Sequence, residues 1–112
     1  MELNWDTIGK EAVGNLQTLV RFDTTNPPGN ELPLVKHLAA QLTEEGLAPK
    51  ILESDPAGRA NLVVRLKGDG SERPLLLLSH LDVVPAEPAK WTHPPFKGDV
   101  DEGYLWARGA ID

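Results

Sequence analysis

Four consecutive leucines, at residues 75–78, constrain the fold of this 112-residue chain more than any other feature. No polar residue interrupts them, so both faces of an extended segment would be apolar, as in a strand that is covered on both sides. A buried helix is disfavoured because Pro74 and Pro85 leave too little length between them. The run therefore predicts an inner strand of a sheet.

Two helices are predicted before this strand. Apolar residues recur at helical spacing over about residues 11–22, and again between Asn30, which can cap a helix, and Gly46, which can end one. The stripe of the second helix consists of Leu32, Val35, Leu38, Ala39 and Leu42. Between the helices, the prolines of residues 26–29 indicate a rigid loop.

Shorter strands are predicted at residues 50–53 and 61–67, and a hairpin is predicted with arms at 97–100 and 104–108. Together with the helices, they favour the α/β class, with a mainly parallel or mixed sheet flanked by helices. The chain stops at Asp112 straight after a strand-like piece, where a complete domain rarely ends. We therefore expect residues 1–112 to be the N-terminal part of one domain.

Composition narrows the chemistry of any site. The chain has no cysteine, so a metal would have to be held by imidazole and carboxylate groups. The formal net charge is −6 and the basic residues are scattered, which argues against a nucleic acid partner. Because there is no signal-like start and no long apolar run, we expect a soluble cytoplasmic protein without membrane contact.

The predicted inner strand delivers His80 and Asp82 at its carboxyl end, where α/β sheets present ligand-binding groups. In extended backbone these two side chains point to the same side, and a carboxylate beside an imidazole can accept one ring N–H and so favour metal binding at the other nitrogen. By itself, however, a His-x-Asp pair is more often a satisfied histidine at a strand end followed by an aspartate that caps a turn.

Three longer stretches surround this pair: LLSHLDVVP at residues 77–85, WTHPPF at 91–96, and GYLWARGAID at 103–112. They closely resemble the di-zinc family of aminoacylases, acetylornithine and succinyl-diaminopimelate deacylases, and carboxypeptidases. TTNPPGNE at 24–31 and GRANLV at 58–63 are similar to that family's first loop and second strand. The resemblance thus spans nearly the whole chain. One departure is Ala107, where the family usually has glycine.

The resemblance implies roles for three residues. His80 would be a terminal ligand of one metal, Asp82 would be the catalytic-site aspartate that orients it, and Asp112 would bridge two metals. It also implies two zinc ions per full-length subunit, replaceable by cobalt or manganese, and a catalytic glutamate and three more ligands downstream of this chain. The full-length protein would be a metallohydrolase, with residues 1–112 forming the start of its catalytic domain.

The implied reaction is hydrolysis of an amide bond in a small peptide or an N-acyl amino acid, and a homodimer of the full-length protein is compatible with the resemblance. Two alternatives remain open at this stage. One is a non-enzymatic truncated remnant without a complete metal site, inactive as a hydrolase. The other is a binding module that uses the aromatic loop around Trp91.

Three further residues could carry chemistry, although a structural role is favoured for each. His37 lies within the second predicted helix, beside its apolar stripe, and is expected to be a helix histidine rather than a ligand. His93 either borders a cleft or packs its loop. Arg108 could pair with a carboxylate of the site or with Asp99 or Asp101.

Overall fold

The computed structural model describes residues 2–54 and 58–112. Its first helix, α1, spans Trp5–Leu19 and begins about six residues before the predicted start. The reason is Asn4, whose side-chain oxygen accepts a hydrogen bond from the Thr7 amide at 3.1 Å and so caps the helix. The helix predicted over residues 11–22 is confirmed up to Leu19, but its first turns were missed, although Trp5, Ile8 and Ala12 stand there at helical spacing.

The second helix, α2, spans Leu32–Glu44 and confirms the prediction for this segment. Leu34 and Val35 are buried. Asn30 was predicted to cap the helix, and this is wrong: the cap position belongs to Glu31, whose side chain makes no capping bond. Its carboxylate binds the guanidinium of Arg59 at 2.9 Å instead.

The strands form two separate two-stranded sheets. Strands β1, Lys50–Ser54, and β2, Arg59–Val63, are antiparallel, and α2 packs against both of them. Strands β3, Asp99–Asp101, and β4, Tyr104–Trp106, form the predicted hairpin. Its two-residue turn has φ of 50° at Glu102 and 82° at Gly103, as a type I′ turn requires.

Helices and strands occur together, which confirms the α/β class. The prediction of a mainly parallel or mixed sheet, however, does not hold for residues 2–54 and 58–112. Both of their sheets are antiparallel. The connections explain this pairing, because a parallel crossover needs about a dozen residues and only four and two residues separate the paired strands. Parallel pairing occurs only as an isolated bridge between Thr25 and Val83 in this part of the chain.

The prediction of a buried strand at residues 75–78 is also wrong. Their leucine side chains are 80–89 % exposed, and no regular structure is assigned to them. An apolar run of this kind becomes an inner strand only if other strands pair with both of its edges. Neither of the two described sheets, β1–β2 and β3–β4, pairs with this segment.

The segment after the leucines is attached to the loop that precedes α2. The Thr24 hydroxyl donates to the Leu81 carbonyl oxygen at 2.7 Å. The Val83 amide donates to the Thr24 carbonyl oxygen at 3.2 Å, and the Asn26 amide donates to the Val83 carbonyl oxygen at 2.8 Å. This attachment, made by residues 24–26 and 81–83, places His80 and Asp82 beside the loop that precedes α2. None of the helices in the described ranges has both the length and the apolar character needed to cross a bilayer.

Candidate metal centre

The imidazole of His80 lies between Asp82 and Asp112. Its Nε2 is 2.9 Å from Oδ1 of Asp112, a residue 32 positions later in the chain. Its Nδ1 is 2.8 Å from the backbone oxygen of Asp82 and 3.4 Å from the Oδ1 of that residue. The structure therefore brings together all three residues that the sequence nominated.

The contact between His80 and Asp82 differs from the expected one. We predicted that the carboxylate of Asp82 accepts the ring N–H, but the backbone carbonyl lies closer and is the hydrogen-bond acceptor. A carbonyl oxygen only accepts, so Nδ1 carries a proton and Nε2 is the nitrogen that faces Asp112. This arrangement fixes which nitrogen can bind a metal.

The carboxylate of Asp82 is held from the other side by two donors. Asn26 Nδ2 donates to its Oδ2 at 2.7 Å, and Arg59 Nη2 donates to the same oxygen at 3.3 Å. Arg59 in turn binds Glu31, whose side chain is only 4 % exposed. Three segments of the chain, those that carry Asn26, Arg59 and Asp82 itself, thus meet at this carboxylate.

These contacts shift two pKa values in opposite directions. The pKa of His80 is raised, first by its bond to the Asp82 carbonyl and then by Asp112, because both contacts favour the protonated ring. The pKa of Asp82 is lowered, first by the Asn26 hydrogen bond and then by the charges of Arg59 and His80. Asp82 is consequently a carboxylate at neutral pH.

An open cleft of about 190 Å³ lies at this place and is lined by Asn26, His80, Asp82, Val83, Val84 and Asp112. One imidazole nitrogen and one carboxylate oxygen face each other there, and both are donors that zinc accepts. Two ligands of one tetrahedral zinc lie roughly 3.3 Å apart, so the separation of 2.9 Å fits a pair that could share an ion after a small movement. Within the described residues, however, no group of three or more histidine or acidic side chains is arranged to hold a metal.

The other candidate residues lie apart from this centre. Nδ1 of His93 is 3.4 Å from Oδ2 of Asp99, and its Nε2 is 3.5 Å from Oδ2 of Asp101. The centroid of its ring lies 4.9 Å from that of Trp106. It is thus held by the β3–β4 hairpin, which fits the loop-packing interpretation.

His37 and Arg108 also have structural surroundings. The ring of His37 lies 5.3 Å from that of Phe22, so it is a partly buried helix histidine as expected. The guanidinium of Arg108 lies over the ring of Trp91 at 5.2 Å. Among the described ion pairs, Arg108 takes up neither alternative that the sequence left open, a carboxylate of the site or Asp99 and Asp101, whose partners are His93 and Lys97. Neither residue lines the cleft.

Sequence reasoning missed Asn26, Glu31 and Arg59. Asn26 was interpreted only as part of a rigid loop, and Glu31 and Arg59 appeared only within two stretches that resemble one family. The periodicity of apolar residues cannot predict a hydrogen bond between side chains that are 56 positions apart, such as the bond from Asn26 to Asp82. The resemblance of residues 24–31 and 58–63 to the first loop and second strand of one family was the available hint.

The residues of this site lie within a match to a known protein family. Residues 76–112 match the model of the peptidase family M20/M25/M40, and this match includes His80, Asp82 and Asp112. A succinyl-diaminopimelate desuccinylase of Methylorubrum populi is 37 % identical over 99 residues, which are 84 % of this chain and 24 % of that protein.

Two other relatives match over shorter stretches. A probable carboxypeptidase S-like protein 2 of Dictyostelium discoideum is 46 % identical over 65 residues, 56 % of this chain and 12 % of the relative. The N-fatty-acyl-amino acid synthase/hydrolase PM20D1 of Xenopus tropicalis is 36 % identical over 63 residues, 55 % of this chain and 12 % of the relative. The chain spans between 12 % and 24 % of the length of these relatives. The match over residues 76–112 and these three relatives support the assignment of the chain to the peptidase family M20/M25/M40.

Proposed function

We propose that this chain supplies two metal ligands, His80 and Asp112, to a metal-dependent hydrolase that cleaves an amide bond in a peptide or an N-acyl amino acid. The observation that carries the proposal is the 2.9 Å contact between the two side chains across 32 positions of sequence. The names of the relatives support the reaction class, because they are a carboxypeptidase, a desuccinylase and an N-fatty-acyl-amino acid synthase/hydrolase.

The three residues would have separate roles. Nε2 of His80 and the carboxylate of Asp112 would hold the ion, and Asp82 would keep the imidazole in the required tautomer through its carbonyl oxygen. A bound divalent metal supplies a Lewis acid that polarises a carbonyl and activates water. Nitrogen and oxygen donors suit zinc, and cobalt or manganese are accepted by the same ligand types.

One observation favours a second candidate, a chain without hydrolase activity. Residues 2–54 and 58–112 provide two facing donors, whereas a structural or catalytic zinc takes three or four protein ligands. On this alternative, the 112 residues alone would bind zinc weakly and hydrolyse nothing. Metal analysis after dialysis separates the two views, because stoichiometric zinc retained by the chain contradicts the alternative.

The ligand assignment can be tested on the chain with ¹⁵N-labelled histidine. Zinc is titrated while the ring nitrogens are followed by NMR, and the other two histidines, His37 and His93, act as internal references. We expect zinc to shift Nε2 of His80 first, and Asp112→Asn to weaken that shift. Equal response of all three rings, or no effect of Asp112→Asn, would contradict the assignment.

The reaction itself requires an activity assay on the longest protein that the gene encodes, with dipeptides and N-acyl amino acids as substrates and zinc, cobalt or manganese added. We expect hydrolysis that His80→Ala abolishes and His37→Ala leaves unchanged. Hydrolysis that survives His80→Ala would refute the proposed centre.

A further inference from the structure

The two carboxylate oxygens of Asp82 have different surroundings. Oδ2 accepts from Asn26 at 2.7 Å and from Arg59 at 3.3 Å. Oδ1 lies 3.4 Å from Nδ1 of His80, which is longer than the 2.8 Å to the backbone oxygen of the same residue. The ring N–H thus bonds to the backbone oxygen, while two other donors hold the carboxylate through its Oδ2.

Arg59 is itself fixed in place. Its Nε and Nη2 donate to the two carboxylate oxygens of Glu31 at 3.3 and 2.9 Å, and Glu31 is nearly fully buried. Gly29 lies against this pair so closely that a Cβ there would be 2.9 Å from Arg59 Nε and 3.0 Å from Glu31 Oε1. The guanidinium fork thus has a defined direction, and its Nη2 also reaches Asp82.

We propose that Asn26 and Arg59 are positioning residues, which hold the Asp82 carboxylate so that the Asp82 carbonyl accepts from Nδ1 of His80 and Nε2 faces Asp112. Without these donors, the carboxylate is free to rotate toward the imidazole and compete for its N–H. The ring would then lose its single orientation. The consequence for metal binding rests on the proposed function, but the hydrogen-bond arrangement does not.

The first test uses the metal-free chain. In ¹⁵N-edited spectra recorded where His80 is protonated, we expect a protected Hδ1 signal from His80 in the parent chain. Asn26→Asp keeps the shape of the side chain but replaces the donor with a negative acceptor, so it should abolish the signal. Asn15→Asp makes the same charge change at an exposed site on α1 and should leave the signal intact.

A second variant guards against loss of folding. Arg59→Lys retains a positive charge against buried Glu31 but lacks the fork that reaches both carboxylates, so it should also weaken the Hδ1 signal. Backbone amide spectra show whether α2 and the β1–β2 sheet are intact in each variant. A Hδ1 signal that persists in both folded variants, or one that is missing from the parent chain, overturns the proposal.

Zinc titration of the same samples separates this inference from the proposed function. We expect Asn26→Asp to weaken the zinc response of His80 by about 10- to 100-fold, as is usual when a partner of a ligating histidine is removed. If the parent chain shows the Hδ1 signal but no zinc response at His80, the positioning role stands and the metal site fails. If zinc binds His80 equally in Asn26→Asp and Asn15→Asp, the positioning has no effect on metal binding and the inference fails.

Discussion

Gly109 lies so close to Val83 that a Cβ added to it would be 2.6 Å from Val83 Cγ1. Its φ is +79°, which also disfavours any other residue. The contact brings the segment that carries Asp112 against the segment that carries Asp82. In the sequence, Gly109 belongs to the Arg-Gly pair within the stretch GYLWARGAID at residues 103–112.

Gly109→Ala is accordingly expected to destabilise the chain by roughly 2–4 kcal/mol, since left-handed strain and overpacking both contribute. Gly46→Ala is the matched control, because φ there is +81° and nothing lies within 4 Å of an added Cβ. It should cost about 1 kcal/mol. Urea unfolding of the two variants measures the difference, and equal losses would show that Val83 does not constrain Gly109.

Thr24→Val tests the attachment between residues 24–26 and 81–83. Thr24 is 2 % exposed and its hydroxyl donates to the Leu81 carbonyl oxygen at 2.7 Å. Valine fills the same space without the donor, so the free energy of unfolding should fall by about 1–2 kcal/mol. Thr24→Ser retains the hydroxyl and should keep the bond. Urea unfolding that ranks serine below valine would argue against this contact.

The pair of Glu31 and Arg59 calls for a double-mutant cycle. Arg59→Met leaves the buried carboxylate of Glu31 without its partner, so it should lower the free energy of unfolding by about 3 kcal/mol. This is the lower end of the range for a buried pair, because the Arg59 side chain is one-third exposed. Glu31→Gln in the same chain removes that carboxylate charge, so the double variant should be less destabilised than the sum of the single ones. Additive losses in urea unfolding would mean that the pair is not coupled.

The β3–β4 hairpin should weaken in acid. The pKa of Asp99 is lowered, first by its hydrogen bond with Lys97 and then by His93. Because the folded-state pKa lies below the unfolded one, the stabilisation is fully present above the usual pKa of about 4 and is lost as the pH falls through the folded value. NMR titration of the Asp99 carboxyl carbon checks this, and Lys97→Ala should raise the midpoint. An unchanged midpoint in Lys97→Ala would contradict the assigned cause.

Local features of the sequence predicted much of this molecule. The apolar stripe of α2 and the turn residues at 102–103 specify structures that depend on near neighbours, and both elements are where they were expected. The leucines at 75–78 were misread because a strand is defined by its partners, and pairing partners cannot be deduced from one segment. His80, Asp82 and Asp112 could be nominated from motifs, whereas Asn26 and Arg59 became visible only when distant segments met.

The attachment of residues 24–26 to 81–83 also determines how the site can lose its structure. The backbone before His80 makes no ladder of its own, so its order depends on a partner 57 positions earlier in the chain. Bringing such distant positions together costs on the order of 3–4 kcal/mol of chain entropy. Release of the early loop would therefore free the backbone that carries His80 and Asp82 from the partner that orders it.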